Sequence, residues 1–175
     1  IDPTIAGSVV GTYWFLMMIG RLCGASIGAK VSSRAMLTVV STVGIVLVLG
    51  AIFCADNILV NMPVFKSDIS FGFAQVPVNV MLLILCGLCT SVMWGGIFNL
   101  AVEGLGKYTA AASGLFMVMV CGGGILPLIQ GGVADFAGFL NSYWVIALGL
   151  AYILFYAAIG SKNVNTDIPT DDYEA

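Results

Sequence analysis

Five long apolar runs, separated by short polar or charged stretches, fill most of the 175-residue chain. The runs cover residues 4–29, 35–55, 78–102, 108–134 and 140–159, and each is at least 20 residues long. The hydrocarbon core of a bilayer is about 30 Å thick, so a helix rising about 1.5 Å per residue crosses it with about 20 apolar residues. Buried helices of water-soluble domains are shorter and keep one polar face. The pattern therefore predicts an all-α membrane protein with five transmembrane helices.

Composition supports this class and argues against several functions. Hydrophobic residues make up 60% of the chain and charged residues 9%, against about 25% charged in a soluble domain. The chain has no histidine, no run of Lys and Arg, and neither a phosphate-binding loop nor a nucleophile paired with histidine. We therefore expect no enzyme activity, no metal or cofactor, and no nucleic-acid partner. The five cysteines all fall inside the runs and predict no disulfide framework.

Basic residues in the connections predict the orientation, because Lys and Arg concentrate in short cytoplasmic loops. One side carries four of them: Lys30, Arg34, Lys107 and Lys162. The other side carries only Lys66. We expect the acidic tail 161–175 in the cytoplasm and residue 1 outside. The connection 56–77 then lies outside, and its length favours a short ordered element over that face.

A glycine stripe on the first span predicts close helix packing. Gly20, Gly24 and Gly28 repeat every four residues, and such a stripe lets the backbones of two helices approach in lipid. The same stripe is a weak signal for function. Which helix packs against it does not follow from the sequence.

The fourth span contains a run of glycines followed by Pro127. Proline lacks the amide donor and clashes with the preceding turn, so the helix is expected to bend or open between Gly123 and Pro127. A static kink is one interpretation. The other is a hinge formed by Gly123, Gly124 and Pro127 beside a substrate path.

Few polar residues lie deep in the spans, and they are the candidate substrate contacts. Arg21 is the only basic residue inside a run, and it is either a structural or gating anchor or a group facing a transport cavity. Sugar sites combine aromatic ring faces with amides, which suits Trp94, Asn99 and Gln130. Asn99 has an alternative role in a helix–helix hydrogen bond. No carboxylate lies deep in a span, so a proton-coupling acid is expected outside these 175 residues.

Several segments resemble the fucose/proton symporter family, a branch of the major facilitator superfamily that carries fucose, glucose and galactose. The run Gly20-Arg21-Leu22 with Gly24, followed by residues 30–34, is similar to the eighth helix and its loop. Residues 93–100 and 104–107 look like the tenth helix and its exit. Ser113, residues 122–125, Pro127, Gly131 and residues 134–135 resemble the eleventh helix.

The resemblance implies helices eight to twelve of a twelve-helix carrier in the cell (inner) membrane, working by alternating access as a sugar/proton symporter. It implies that the acidic coupling residues lie in an N-terminal half absent from this chain. It matches an arginine of the eighth helix to Arg21 and a sugar-contacting aromatic of the tenth helix to Trp94. The chain departs from the family at Gly95-Gly96, where Pro-Thr is frequent, and at Gln130, where methionine is usual.

Our leading hypothesis is the C-terminal portion of a secondary hexose transporter. Its partners would be the sugar, a coupling proton, membrane lipid and the missing N-terminal half. The candidate substrate contacts are Trp94, Asn99, Arg21, Trp14 and Gln130. The alternative is a non-transporting scaffold or oligomerising subunit, which the glycine stripe alone would suit. A scaffold, however, has no need of Arg21, Asn99 and Gln130 at depth.

Overall fold

The computed structural model describes residues 3–54, 57–65 and 70–162. Six α-helices and two strands follow one another in this part of the chain: α1 (Pro3–Gly28), α2 (Ser33–Phe53), β1 (Leu59–Phe65), β2 (Phe71–Pro77), α3 (Val78–Val102), α4 (Thr109–Met119), α5 (Gly122–Ala137) and α6 (Phe139–Phe155). A short 3₁₀ turn, Gly106–Tyr108, precedes α4, and a π-helical turn, Tyr156–Gly160, extends α6. The expectations for residue 1, Lys66 and the tail beyond residue 162 lie outside the described residues.

The five-span class is confirmed. Within the described residues, five helical segments are long and apolar enough to cross a membrane: Thr4–Gly28, Ser33–Phe53, Val78–Val102, Gly106–Ala137 and Phe139–Gly160. A helix satisfies its backbone hydrogen bonds within one segment, which is why an apolar run of this length forms a helix in lipid. The protein is therefore a multi-pass membrane protein.

Helix α3 lies at the centre of the bundle, with α1 and α2 packed against it. Helix α6 packs against both α2 and α5. Buried side chains of α2, α3 and α6 form the main core: Leu37, Val48, Cys86, Cys89, Met93, Leu100, Ala147, Leu150 and Ala157. The two central cysteines thus serve as small apolar core residues between α2 and α6.

Polar contacts fasten the helix ends on the side where α2 begins, which we call the basic end. The guanidinium of Arg34 donates a hydrogen bond, 3.0 Å long, to the carbonyl oxygen of Ser161 after α6. The hydroxyl of Ser32 caps α2 by accepting from the amide of Ala35 at 3.3 Å. The start of α2 and the end of α6 are therefore held together.

The long connection between α2 and α3 forms an antiparallel hairpin, β1–β2, paired from Leu59↔Pro77 to Phe65↔Phe71. The sequence predicted an ordered element here but no strands, so the hairpin is an addition to the helical fold. The amide of Phe65 donates to the hydroxyl of Thr12 in α1 at 2.8 Å. The ring of Phe65 also stacks on Phe15, with centroids 5.3 Å apart. The hairpin is thereby fixed along α1.

Burial alternates along the two strands of the hairpin. On β1 the side chains of Met62 and Val64 are buried, and on β2 that of Val76 is fully covered. They form a second cluster with Ile84 of α3. A period of two places these side chains on one face, which then packs on the helices.

The fourth span is interrupted. Helix α4 ends at Met119 and α5 begins at Gly122, so the break lies at Val120–Cys121, ahead of the Gly123–Pro127 segment where the sequence predicted it. Pro127 lies inside α5, where it has no amide to donate to the carbonyl of Gly123. The disturbance is taken up one turn earlier, where the amide of Gly123 bonds the carbonyl of Val120 at 2.8 Å in a tighter three-residue turn.

A single residue, Gly138, joins α5 to α6. Its φ is +94°, a backbone conformation that favours glycine because a Cβ would be strained there. Helix α5 reverses directly into α6, and the two helices pack against each other.

Candidate functional site

Two spaces in the described part of the bundle are bordered by residues predicted from the sequence as substrate contacts. The first is a cleft of about 550 Å³, which we call the internal cavity; it is bounded by residues of α1, α2, α3, α5 and α6 and opens to the bundle surface beside the exposed Val10 and Phe139. The second, of about 680 Å³, lies at the basic end between the start of α2 and the end of α3. They differ in chemistry, and neither gathers all of the predicted substrate contacts.

The internal cavity is lined almost entirely by apolar side chains of the core. Its polar groups are few. The hydroxyls of Tyr13 and Thr90 lie 3.2 Å apart, and Thr90 also donates to the carbonyl of Cys86 at 3.2 Å. Gln130 of α5 lines the cavity, and its amide makes no hydrogen bond to a described residue. A sugar has hydroxyl groups all around its ring, so this lining suits an apolar occupant better than a hexose.

The space at the basic end is polar. Its wall contains Ser32, Ser33, Arg34, Asn99 and Glu103. The amide of Asn99 donates to the hydroxyl of Ser33 at 3.5 Å, which is a helix–helix contact of the kind given above as the alternative role for Asn99. Because Arg34 also binds the carbonyl of Ser161, this region joins three helix ends.

Trp94 of α3 lies on the surface of the five-span bundle. Its side chain is 47% exposed, and its ring meets the ring of Phe116 of α4 edge to face with centroids 5.2 Å apart. Phe116 also meets Phe98, at 5.4 Å. Trp94 therefore forms part of the contact between α3 and α4 while a large part of its ring stays accessible.

Trp14 and Arg21 lie on the outer surface of α1. Seven residues, or about two turns, separate them, so they share one face of the helix. Trp14 is 59% exposed and meets Tyr13 edge to face at 5.9 Å. Arg21 is exposed, and its guanidinium contacts only the sulfur of Met17, at 3.8 Å. Among the described residues Arg21 has no acidic partner.

The five predicted substrate contacts are thus divided among three places. Gln130 lines the internal cavity, and Asn99 lines the space at the basic end. Trp14, Arg21 and Trp94 face outward from the bundle. Tyr13 and Thr90, which form the polar contact in the internal cavity, were not singled out from the sequence. The signal available was weak, because a hydroxyl inside an apolar run usually bonds its own helix.

The packing glycines of α1 lie against α3. A methyl group added at Gly20 would collide with the side chain of Ser91 and come within 3.1 Å of the carbonyl oxygen of Leu88. One added at Gly24 would collide with Val92. Gly28, at the end of the stripe, would meet only Met36 of α2, at 4.0 Å.

Comparison with known proteins finds sugar transporters. The chain is 30% identical over 169 residues to the glucose/galactose transporter of Brucella abortus, covering 93% of this chain and 36% of that protein. It is 33% identical over 92 residues to the L-fucose-proton symporter of Escherichia coli, covering 52% of this chain and 21% of that protein. The chain therefore spans about a third of the length of the Brucella relative. No family model matches the chain, and no solved structure gives a significant match.

Proposed function

From the membership of this chain in the fucose/glucose/galactose symporter family of the major facilitator superfamily, we propose that it is part of a secondary hexose transporter. The transporter would take up a sugar of the glucose, galactose or fucose type together with a proton, by alternating access. The remainder of the transporter would supply the acidic coupling residue. The chain would then lie in the cell (inner) membrane, with the basic end in the cytoplasm.

One observation carries the proposal: the similarity to the Brucella glucose/galactose transporter extends over 93% of this chain. A scaffold or oligomerising subunit is not favoured, because the relatives carry the names of transporters. The exposed Trp14, Arg21 and Trp94 fit a site completed from outside the chain. Polar and charged groups inside a membrane normally face protein or a water-filled path rather than lipid.

In the proposed site Trp94 covers one apolar face of the sugar ring. Its accessible ring surface and its support by Phe116 suit this role, since stacking needs a ring held in one orientation. Arg21 would bind a sugar hydroxyl or a carboxylate contributed by the rest of the transporter. Gly123, Gly124 and Pro127, just beyond the interruption in span four, would let α4 and α5 change their angle.

The test is sugar uptake by the complete polypeptide that carries these residues, in cells lacking their own glucose, galactose and fucose carriers. We expect uptake of at least one of the three sugars, abolished when a protonophore removes the proton gradient. Trp94→Ala should weaken apparent affinity about tenfold or more, a loss of about 1.4 kcal/mol or more. Trp94→Phe should keep most of the affinity, because it keeps a ring.

The matched control is Trp144→Ala. Trp144 is similarly exposed, at 43%, and likewise meets a phenylalanine, Phe53, edge to face at 6.1 Å, but it lies near the start of α6. Equal effects of the two alanine variants would remove Trp94 from the sugar site. Uptake that survives the protonophore would exclude proton coupling, and no uptake of any of the three sugars would count against the hexose assignment.

A further inference from the structure

The β1–β2 hairpin is apolar on both of its faces. One face packs on the helices through Met62, Val64 and Val76. The opposite face, which we call the outer face, consists of the residues that alternate with them: Leu59, Asn61, Pro63, Phe71, Phe73 and Gln75. All six are exposed and none is charged. An antiparallel hairpin between protein and water has a polar outer face, so this one indicates a second neighbour that is not bulk water.

The position of the hairpin along the spans places it near the edge of the membrane. Strand β2 ends at Pro77, and α3, which forms span three, begins at the next residue, Val78. The other end of the hairpin is held to α1 by the hydrogen bond from Phe65 to Thr12. Span one, Thr4–Gly28, has 25 residues and is about 37 Å long, and Thr12 lies about 12 Å from its first residue. The hairpin therefore lies beside the first third of span one.

Exposed aromatic side chains surround the bundle at this same end, opposite the basic end. They stand at the end of α2, the end of α5 and the start of α6: Phe53, Phe136, Phe139 and Trp144. Phe71 and Phe73 add two exposed rings on the side of α1. Tryptophan is enriched where a membrane meets water, and phenylalanine and leucine form the apolar faces of segments that lie in that interface. The outer face thus continues an aromatic belt.

The hairpin lies on the side of α1 that faces away from Arg21. Nine residues separate Thr12 from Arg21, which is two and a half turns at 3.6 residues per turn, so the two side chains point to opposite sides of the helix. A charged group within a membrane faces protein or a water-filled path. The side of α1 that bears the hairpin is therefore the one left for lipid.

We infer that the outer face of the hairpin binds the surface of the lipid bilayer, with Phe71 and Phe73 between the headgroups and the acyl chains. A two-stranded hairpin leaves one edge of each strand without a strand partner, and hydrocarbon cannot hydrogen-bond those backbone groups. The interface supplies water and headgroup oxygens for them, and for the side-chain amides of Asn61 and Gln75, beside an apolar layer for the rings. The inference rests on the membrane class of the protein and does not require that it carries a sugar.

The first experiment places a benzophenone amino acid at Phe73 in the complete polypeptide, which is irradiated in native membranes. The ring of Phe73 is 78% exposed, so the probe displaces few contacts of the described residues. We expect it to join phospholipid, identified by the mass of the modified peptide. The same probe at Leu148, which is exposed in the middle of α6, gives the yield for a side chain on the surface of a span.

Three results would overturn the inference. The probe at Phe73 could join a segment of the polypeptide outside these 175 residues, or a second copy of the chain. It could also stay unreacted while the probe at Leu148 joins lipid, which would mean that the outer face lies in water.

The second experiment measures hydrogen exchange of the β2 amides in nanodiscs of phosphatidylethanolamine and phosphatidylglycerol. Phe73→Thr keeps a residue that favours strands but removes the ring, and it should speed exchange about fivefold or more, because apolar area is lost from the bilayer. Gln75→Thr is the matched control, since Gln75 lies on the same face of the same strand and is already polar. It should change exchange less than about twofold.

Unchanged exchange in Phe73→Thr, or equal effects of the two substitutions, would also overturn the inference. Neither experiment reads sugar uptake. A protein that carries no hexose but gives the lipid adduct would contradict the proposed function and leave the lipid contact standing, and hexose uptake without the adduct would do the reverse.

Discussion

Glycines occur both at the contact between α1 and α3 and on the surface of span four, but their surroundings differ. On α1, Gly20 and Gly24 lie directly against Ser91 and Val92, so that even a methyl group does not fit. On α5, Gly131 has nothing within 4 Å of the same position. The comparison shows that a glycine-rich stripe permits close packing and that the partner decides whether it occurs. One contact is closed within this chain and the other is open.

The largest expected effect is at the closed contact. Gly20→Leu should lower the free energy of unfolding by about 3 kcal/mol, because the side chain must displace α3 at Ser91. Gly7→Leu is the control on the same helix, since nothing lies within 4 Å of a methyl group there. It should change stability by less than about 1 kcal/mol. Reversible unfolding of the purified protein in mixed detergent measures both, and equal losses would show that the closed contact has no special role.

A smaller loss of stability is expected where the hairpin is hydrogen-bonded to α1. Thr12→Val removes the hydroxyl that accepts from the amide of Phe65 and should cost about 2 kcal/mol. Hydrogen exchange at Phe65 should become faster in the same variant. Thr42→Val is the control, because that hydroxyl is exposed and bonds only the carbonyl of Thr38 in its own helix. Unchanged exchange at Phe65 would mean that the hairpin is held by its aromatic and apolar contacts alone.

The smallest effect is expected at the open face of α5, and it is a gain in stability rather than a loss. In the 175-residue chain, Gly131→Ala should stabilise the protein by up to about 1 kcal/mol, because alanine has the higher helix propensity and the site is open. Gly87→Ala should instead destabilise it, since the added methyl lies 3.0 Å from the carbonyl oxygen of Tyr13. Thermal unfolding of the two variants shows whether each substitution raises or lowers the stability. A destabilising Gly131→Ala would mean that this face is already packed within the chain.

The class of fold follows from the sequence because apolar run length is set by bilayer thickness, a constraint that needs no tertiary information. The hairpin did not follow, since an alternating pattern of seven residues gains its burial only from helices distant in sequence. The interruption in span four was predicted within a turn or so. The structure has it at Val120–Cys121, just before the glycines, because the disturbance at Pro127 is relieved in the tighter turn between Val120 and Gly123.

The candidate site was less predictable. Residue chemistry selected Trp94 and Gln130, but neighbouring residues in sequence point to different sides of a helix, and the bundle decides which side is inside. Trp94 faces outward, whereas Gln130 lines a cavity with Tyr13. Helix packing depends on contacts between α1, α3 and α6, and these involve pairs such as Tyr13 and Thr90 that are 77 positions apart. A single sequence carries no direct record of such pairs.

The one-residue corner at Gly138 determines how span four can move. Because α5 turns into α6 without any slack, tilting α5 must drag α6 with it, and α6 is anchored to α2 through Ser161 and Arg34. Helix α4, beyond the interruption, is joined instead to α3, through the contacts of Phe116 with Trp94 and Phe98. Span four is thereby divided into α5, which moves with α6, and α4, which stays with α3, and we expect any change of angle to occur at the interruption between them.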